Sequence, residues 1–391
     1  MVDLSSLRVR MHSLVVFRDL LKDPVISAFS DLLNARDDDA FVTACAEFEA
    51  ALFDQNDSWS EYLTHAVIHC ENIAVRQKAT KTSSAVIDAA LEQELTVLEA
   101  LASVTLSDFS FPSASLFVAW RTGDTSLTDS YMQHLSRVSR EGYGIYADYH
   151  VFTLQEDELV PVKYPDPQRL SQLPGYEEER RKIVANVEAL LHDQPAVNML
   201  LYGDAGTGKS STIKALANKY RRDGLRLIEV RRNQLFQIPA VLEKLAPLPL
   251  KFILFIDDLS FSSNDDNFAS LKAILEGSVS KQASNTILAA TSNRRHLVKE
   301  SVSDRFQDDL HESDTRQELL SLSARFGLIV TFQKPDRSRY LYIVQELAKE
   351  YGVEEDEGTL IAKAEAFALR AGGRTPRVAR QFVEQIKSGV L

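Results

Sequence analysis

The run GDAGTGKS, from Gly203 to Ser210, constrains this chain more than any other segment. It satisfies GxxxxGK[ST] in full, with an apolar strand pattern (NMLLY) ahead of it and a helical one (STIKALANKY) behind it. Gly203, Gly206 and Gly208 free the backbone to turn its N–H groups inward around phosphate oxygens. Asp204, Ala205 and Thr207 complete the loop, and Ser211 follows in the first helical turn. Lys209 is expected to reach the β- and γ-phosphates of a nucleotide, and Ser210 to hold Mg²⁺. The expectation is a site for ATP and Mg²⁺ on a parallel sheet.

Two later strands supply groups for the same edge of that sheet. FILFIDD (252 to 258) reads as a buried central strand, with Asp257 facing the magnesium ion. Asp258 follows, a carboxylate placed to orient and deprotonate an attacking water, though one methylene shorter than a glutamate. NTILAATSNRR (285 to 295) is an apolar strand ending at Thr291, Ser292 and Asn293, where an amide can hold the lytic water or the γ-phosphate. Arg294, Arg295 and His296 suit a neighbour, a polyanion or plain solvent.

Arginines form the last group of candidates. Arg325, in SLSARFGL, and its competitor Arg305, in SVSDRF, suit a finger that reaches a nucleotide held by a neighbouring subunit. In AGGRTPRVARQF, Arg377 lies in the first turn of a helix and suits the phosphates, with Arg374 and Arg380 as alternatives. For Arg325 and Arg305 the alternative is a plain salt bridge.

Around these motifs the chain divides into three. Residues 1–160 read as a mostly helical, acidic N-terminal domain; AFVTACAEFEAALF and SSAVIDAALEQELTVLEALA repeat apolar side chains at helical spacing. Asp37, Asp38 and Asp39 suit a helix start. SDFSFPSASLF and the strand-like YGIYADYHVFTL carry packing aromatics without a functional reading. Residues 161–336 alternate strand and helix, which argues a parallel sheet covered on both faces. Their opening, PVKYPDPQRLSQLPGY, reads as a linker. Residues 337–391 read as a helical C-terminal lid.

Charge and cysteine content set the exclusions. The chain carries a net charge of -12. Residues 1 to 170 hold 13 Lys and Arg against 26 Asp and Glu, and the remainder 31 against 30. An acidic front repels nucleic acid and anionic membrane, so charge does not indicate a nucleic-acid partner; the balanced back half leaves room for a local basic patch. Cys45 and Cys70 have no ligand-like or CxxC spacing, so buried free thiols and a cytoplasmic location are expected. No window approaches the ~20 apolar residues of a membrane span.

Together the motifs resemble those of AAA+ ATPases. GDAGTGKS looks like Walker A, FILFIDD like Walker B, TSN like sensor 1, SARFGL like the finger segment and GGRTPR like sensor 2. The Asp–Asp pair departs from the commoner Asp–Glu and is similar to that of DnaA-type replication initiators. GDAGTGKSSTIKAL, FIDDLSF, LKAILEG, ATSNRRHL, ARFGL and GRTPRVARQF resemble more specifically the bacterial ATP-binding proteins called DUF815, over residues 160 to 391. The finger segment of that family favours Arg325 over Arg305. The resemblance implies an AAA+ P-loop three-layer α/β fold with a helical lid, and ATP-dependent homo-oligomers.

Two activities fit: a remodeller or loader of a protein or nucleoprotein client, with the front domain as adaptor, or a slow-turnover switch that acts by assembly. A small-molecule kinase is weaker, since it needs an acceptor pocket.

Overall fold

A computed structural model describes residues 3–80, 82–123, 126–259, 271–272, 274–275, 284–293 and 325–391. Arg305 and the run 294–296 lie outside them. The chain splits into two compact units, Met1–Asp148 and Tyr149–Leu391.

The first unit is helical: α1 (Leu4–His12), α2 (Pro24–Asn34), α3 (Asp38–Phe53), α4 (Trp59–His69), α5 (Ile73–Ala79), α6 (Ala85–Ala102), α7 (Leu127–Glu141) and α8 (Ile145–Asp148). Short polar side chains start these helices by capping free N–H groups. The Asp37 side chain accepts from the Ala40 N–H at 2.9 Å, the helix start expected of the Asp37–Asp39 run. Stacked and edge-on rings of Phe29, Phe48, Trp59 and Trp120 fill the core. Buried Glu94 ties the chain ahead of α2 to α6 by accepting from the N–H groups of Val15, Val16 and Phe17. Cys45 and Cys70 are buried and free. Burial pushes their thiols up, to about 12 and about 11, which keeps them protonated and inert.

The second unit is built on a seven-stranded sheet in the order β2-β1-β4-β5-β6-β3-β7. The strands are β1 (Val151–Gln155), β2 (Glu158–Pro161), β3 (Met199–Gly203), β4 (Leu225–Glu229), β5 (Lys251–Ile256), β6 (Thr286–Ser292) and β7 (Leu328–Phe332). Every pairing is parallel except β1 with β2, a hairpin turned at Glu156 and Asp157, both at positive φ. Helices α9 (Glu177–Leu191), α10 (Lys209–Tyr220) and α11 (Ile238–Leu245) accompany the strands, and α12 (Arg337–Tyr351), α13 (Glu357–Arg370) and α14 (Pro376–Lys387) form the lid. One core joins Leu201, Phe255 and Ala289 of the sheet to Ile213 of α10, Ile183 of α9, and Ile343 and Phe382 of the lid. The alternate strand residues Leu200, Ile228, Leu254 and Leu288 are buried too, so both sheet faces are covered. The expected architecture, a P-loop α/β layer with a helical lid and a helical front region, is the observed one.

Two expectations about boundaries need correction. The first domain ends at Asp148, not at 160, because Val151–Thr153 pairs with Leu227–Glu229 and makes the hairpin part of the sheet. The polar, Pro-rich run after it is not an interdomain linker. Asn218 on α10 donates to the carbonyls of Asp166 and Gln168 at 2.8 Å, and Arg380 on α14 donates to Gln168 and Gln172. The run is pinned within the second unit. Of the strand-like YGIYADYHVFTL, only the end is strand; Ile145–Asp148 is a helical turn. Among the described residues, no helix is long and apolar enough to cross a membrane.

Candidate functional site

The loop after β3 is shaped by its glycines. Gly203, Gly206 and Gly208 have φ of 138°, 76° and 92°, a region that costs other L-residues strain. At Gly203 a Cβ would sit 2.0 Å from the Phe332 carbonyl oxygen, so this position admits no side chain. The end of β7 holds the first half of the loop: the Asp204 N–H donates to Phe332 O at 3.2 Å, and the Lys334 N–H donates to Asp204 Oδ2 at 2.8 Å. The lid holds the tip, where the Arg377 N–H donates to Gly206 O at 3.1 Å. Among the described residues no side chain caps the start of α10, which leaves the first N–H groups of that helix for an anion.

Lys209 opens α10 and is 5% exposed. Its ammonium donates to Gly203 O at 2.7 Å, Asp204 O at 2.8 Å and Asn293 Oδ1 at 3.0 Å, which uses all three of its protons. Burial lowers its pKa below the ordinary lysine value; the nearby carboxylates of Asp204, Asp257 and Asp258 oppose that shift, and Arg377 adds to it. A buried cation held by weak carbonyl acceptors is a favourable partner for a phosphate group.

The ends of β5 and β6 meet this lysine. Asn293, just past β6, also donates through Nδ2 to Asp258 Oδ1 at 2.8 Å. Asp257 Oδ1 accepts from Ser210 Oγ at 2.6 Å, Thr291 Oγ1 at 2.6 Å and the Asp258 N–H at 3.1 Å. The Asp258 N–H is shared with Thr291 Oγ1 at 2.9 Å. Asp258 sits at φ 50°, a left-handed conformation that aspartate tolerates better than most residues, and this double anchoring holds it there. Lys209, Ser210, Asp257, Asp258 and Asn293 thus form one connected polar cluster. Thr291 links the two aspartates and was not expected to; a hydroxyl ending an apolar strand was its one sequence signal.

The lid arginines separate by partner. Arg374 donates to Glu365 at 2.6 Å and Arg380 to Gln168 at 2.9 Å, so both fasten the lid within itself or to the run before α9. Arg377 is exposed beside the loop, and among the described residues its guanidinium makes no hydrogen bond. Ser211 and Arg377 line the same cleft with Gly206, Thr207 and Gly208. Arg325 is placed apart from the cluster. It precedes β7, whose start pairs with Met199 and whose end pairs with Gly203. Four residue steps of strand, about 13 Å, lie between Arg325's end of the sheet and the loop.

The residues fit a nucleotide with a divalent cation: inward-turned glycines, a buried lysine, and hydroxyl and carboxylate oxygens converging at Asp257.

Comparison with known proteins gives the following matches. A RuvB Holliday junction branch migration motor from Thermotoga maritima is 16% identical, with a TM-score of 0.37, covering 57% of this chain and 65% of that one. Two further Thermotoga maritima RuvB chains align over the same shares at 18% and 17% identity, with TM-scores of 0.39 and 0.38. The chain therefore spans less than two thirds of these structures. Among curated proteins none matches it. The profile of the family described as "Protein of unknown function (DUF815)" matches residues 147–390, which begin at the end of the helical unit and take in the whole sheet and lid. That is more than half of the chain, and the chain belongs to the DUF815 family.

Proposed function

We propose that the chain is a Mg²⁺-dependent ATPase of the AAA+ type that works as an oligomer. The observation that carries this is the bridge from Lys209 through Asn293 to Asp258, which joins a phosphate-binding lysine to a carboxylate able to take a proton. Backbone N–H groups of residues 203 to 211 and the Lys209 ammonium would hold the phosphates, Lys209 exchanging its carbonyl partners for phosphate oxygens. Ser210 and Asp257 would hold Mg²⁺, which would supply charge neutralisation at the phosphate oxygens. Asn293 orients the attacking water, and Asp258 accepts its proton as the new P–O bond forms and ADP leaves. Thr291 keeps the two aspartates apart in role by anchoring Asp257 and the Asp258 backbone together.

Lid position is coupled to this site. The cleft beneath α14 encloses about 140 Å³, below the ~300–1,000 Å³ usual for small-ligand sites. Movement of the first turn of α14 away from the loop would break the Arg377–Gly206 bond and let Arg377 turn to the phosphates. Nucleotide state is read out as lid angle, a two-state element of the kind that drives rearrangement.

Arg325 precedes the end of β7 that lies away from the loop, which supports a role on a neighbour's nucleotide. Mixing Lys209→Ala with Arg325→Ala protein tests this. Activity reappearing in the mixture is the expected result. Its absence in demonstrably mixed assemblies removes Arg325 as a finger. Sedimentation of Asp258→Asn protein, with and without ATP and Mg²⁺, should show assembly only with nucleotide.

The coupling would serve a remodeller or loader of a protein or nucleoprotein client, with the helical unit as adaptor. A slow switch acting by assembly is the second reading, favoured by the Asp258 carboxylate being already engaged by Asn293. Turnover that a client or DNA stimulates selects the first; tight ATP binding with almost no turnover selects the second.

A further inference from the structure

The helical unit contains a cluster that the nucleotide site does not use. His65 and His69 lie four residues apart on α4, one turn along the same face. Their rings stack with centroids 4.0 Å apart. Asp148, the last residue of α8, joins them from far along the chain, with Oδ1 2.9 Å from His69 Nε2. One ligand atom from each of the three residues lies within 4.8 Å of the others.

The hydrogen bonding sets the chemistry of His69. Its Nδ1 lies 2.7 Å from the His65 carbonyl oxygen, which can only accept, so Nδ1 carries a proton. Nε2 meets Asp148 Oδ1 at 2.9 Å as a hydrogen-bond donor, and a metal ion would take the place of that proton. An imidazole that donates one N–H to a backbone carbonyl and offers the other nitrogen is the arrangement of a metal-ligating histidine. A second, independent feature lies alongside. His134 on α7 is 8% exposed, and among the described residues its buried Nε2 has no hydrogen-bond partner. The charges of His69 and Asp148 both reach it.

We propose that His65, His69 and Asp148 form a binding site for a transition-metal dication of the zinc class. Two imidazole nitrogens and one carboxylate oxygen match the ligand preference of zinc, whereas Mg²⁺ and Ca²⁺ take oxygen ligands. Tetrahedral zinc at ~2.0–2.1 Å from its ligands needs them about 3.4 Å apart. His69 and Asp148 are already closer than that, so His65 is the group that moves inward, and it is exposed and free to do so. The bound ion would clip α8 to α4. A fourth position remains for water.

The test uses untagged full-length protein, dialysed against buffered free Zn²⁺ with excess Mg²⁺ and no nucleotide, and metal analysis per chain. The expected result is one zinc per chain in the wild type, and at least a tenfold loss of zinc affinity in both His65→Ala and His69→Ala. Asp148→Asn should weaken zinc in the same direction, and Co²⁺ substitution should give a visible d–d band that the histidine variants lose. His65 is exposed, so His65→Ala should retain the far-ultraviolet circular dichroism of the wild type; His65→Gln serves as a second variant if it does not. A wild type that retains no zinc overturns the site, as does zinc affinity within twofold of wild type in either folded histidine variant.

Discussion

Lys209 and Asn293 stand 84 residues apart in sequence, yet the ammonium of one donates to the amide oxygen of the other at 3.0 Å. Because the same amide donates to Asp258, Asn293 serves two groups with different tasks. Asn293→Ala should therefore separate binding from chemistry. Affinity for a fluorescent ATP analogue is expected to stay within about threefold, while turnover falls about a hundredfold, the scale seen when one positioned polar group is lost. Parallel binding and turnover measurements check this; equal losses in both would place Asn293 in ground-state binding.

Thr291 predicts a linked loss of stability and activity. Thr291→Val keeps the shape and removes the hydroxyl that donates to Asp257 and accepts from the Asp258 N–H. Thr291 is buried, so removing the hydroxyl should cost about 1–3 kcal/mol. Turnover should drop about tenfold as Asp258 loses an anchor. Denaturant midpoints and initial rates of the same preparation give both numbers.

The glycines of the loop should respond unequally. At Gly203 an added Cβ meets the Phe332 carbonyl at 2.0 Å, whereas at Gly208 nothing lies within 4 Å. Gly203→Ala combines overpacking with backbone strain and should lose about 3 kcal/mol or more. Gly208→Ala meets strain alone, about 1–2 kcal/mol. Equal denaturation midpoints for the two variants without nucleotide would contradict this account.

The pH dependence of the second unit should follow His150. Burial lowers its pKa below 6.5, opposed by the bond to Asn218 and reinforced by Arg221 and Arg226. Asn218 donates through its amide nitrogen to two carbonyls, so its oxygen faces His150 Nε2 at 2.8 Å and that nitrogen carries the proton. Below pH 6.5 the unfolded chain binds a proton that the folded one still refuses. Stability is therefore full above that pH and falls as pH drops through it. The Leu227 N–H donates to His150 O, so hydrogen exchange of β4 amides, corrected for intrinsic rates, reports the effect. Protection should fall between pH 7 and pH 5.5, and more shallowly in His150→Gln.

Much of this site can be read directly from sequence. Gly203, Gly206 and Gly208 advertise a left-handed loop, and the unbroken apolar runs of β5 and β6 announce strands buried on both faces. Their ends, Asp257, Asp258 and Asn293, follow from the rule that parallel strands share a ligand edge. What was hidden depends on tertiary pairing. The hairpin of β1 and β2 joins the sheet only because Val151–Thr153 finds β4, and no local pattern encodes that partner. The Pro-rich run looked like a linker because its fixings, Asn218 and Arg380, lie far along the chain. In helix α7 the polar face dominates and obscures the helical spacing of Leu127, Tyr131, Leu135 and Val138. Arg377 is the first choice from its place in the opening turn of its helix, and Glu365 and Gln168 engage its alternatives Arg374 and Arg380.

The central claim is that one catalytic cluster forms around Lys209 and Asp258, and steady-state ATP turnover with and without Mg²⁺ tests it most directly. Wild-type protein should release phosphate only with Mg²⁺. Lys209→Ala should lose nucleotide binding and turnover together, and Asp258→Asn should keep binding but lose at least about a hundredfold in turnover. Turnover in Asp258→Asn or Lys209→Ala equal to that of the wild type, or a wild type that binds no ATP, would contradict the account.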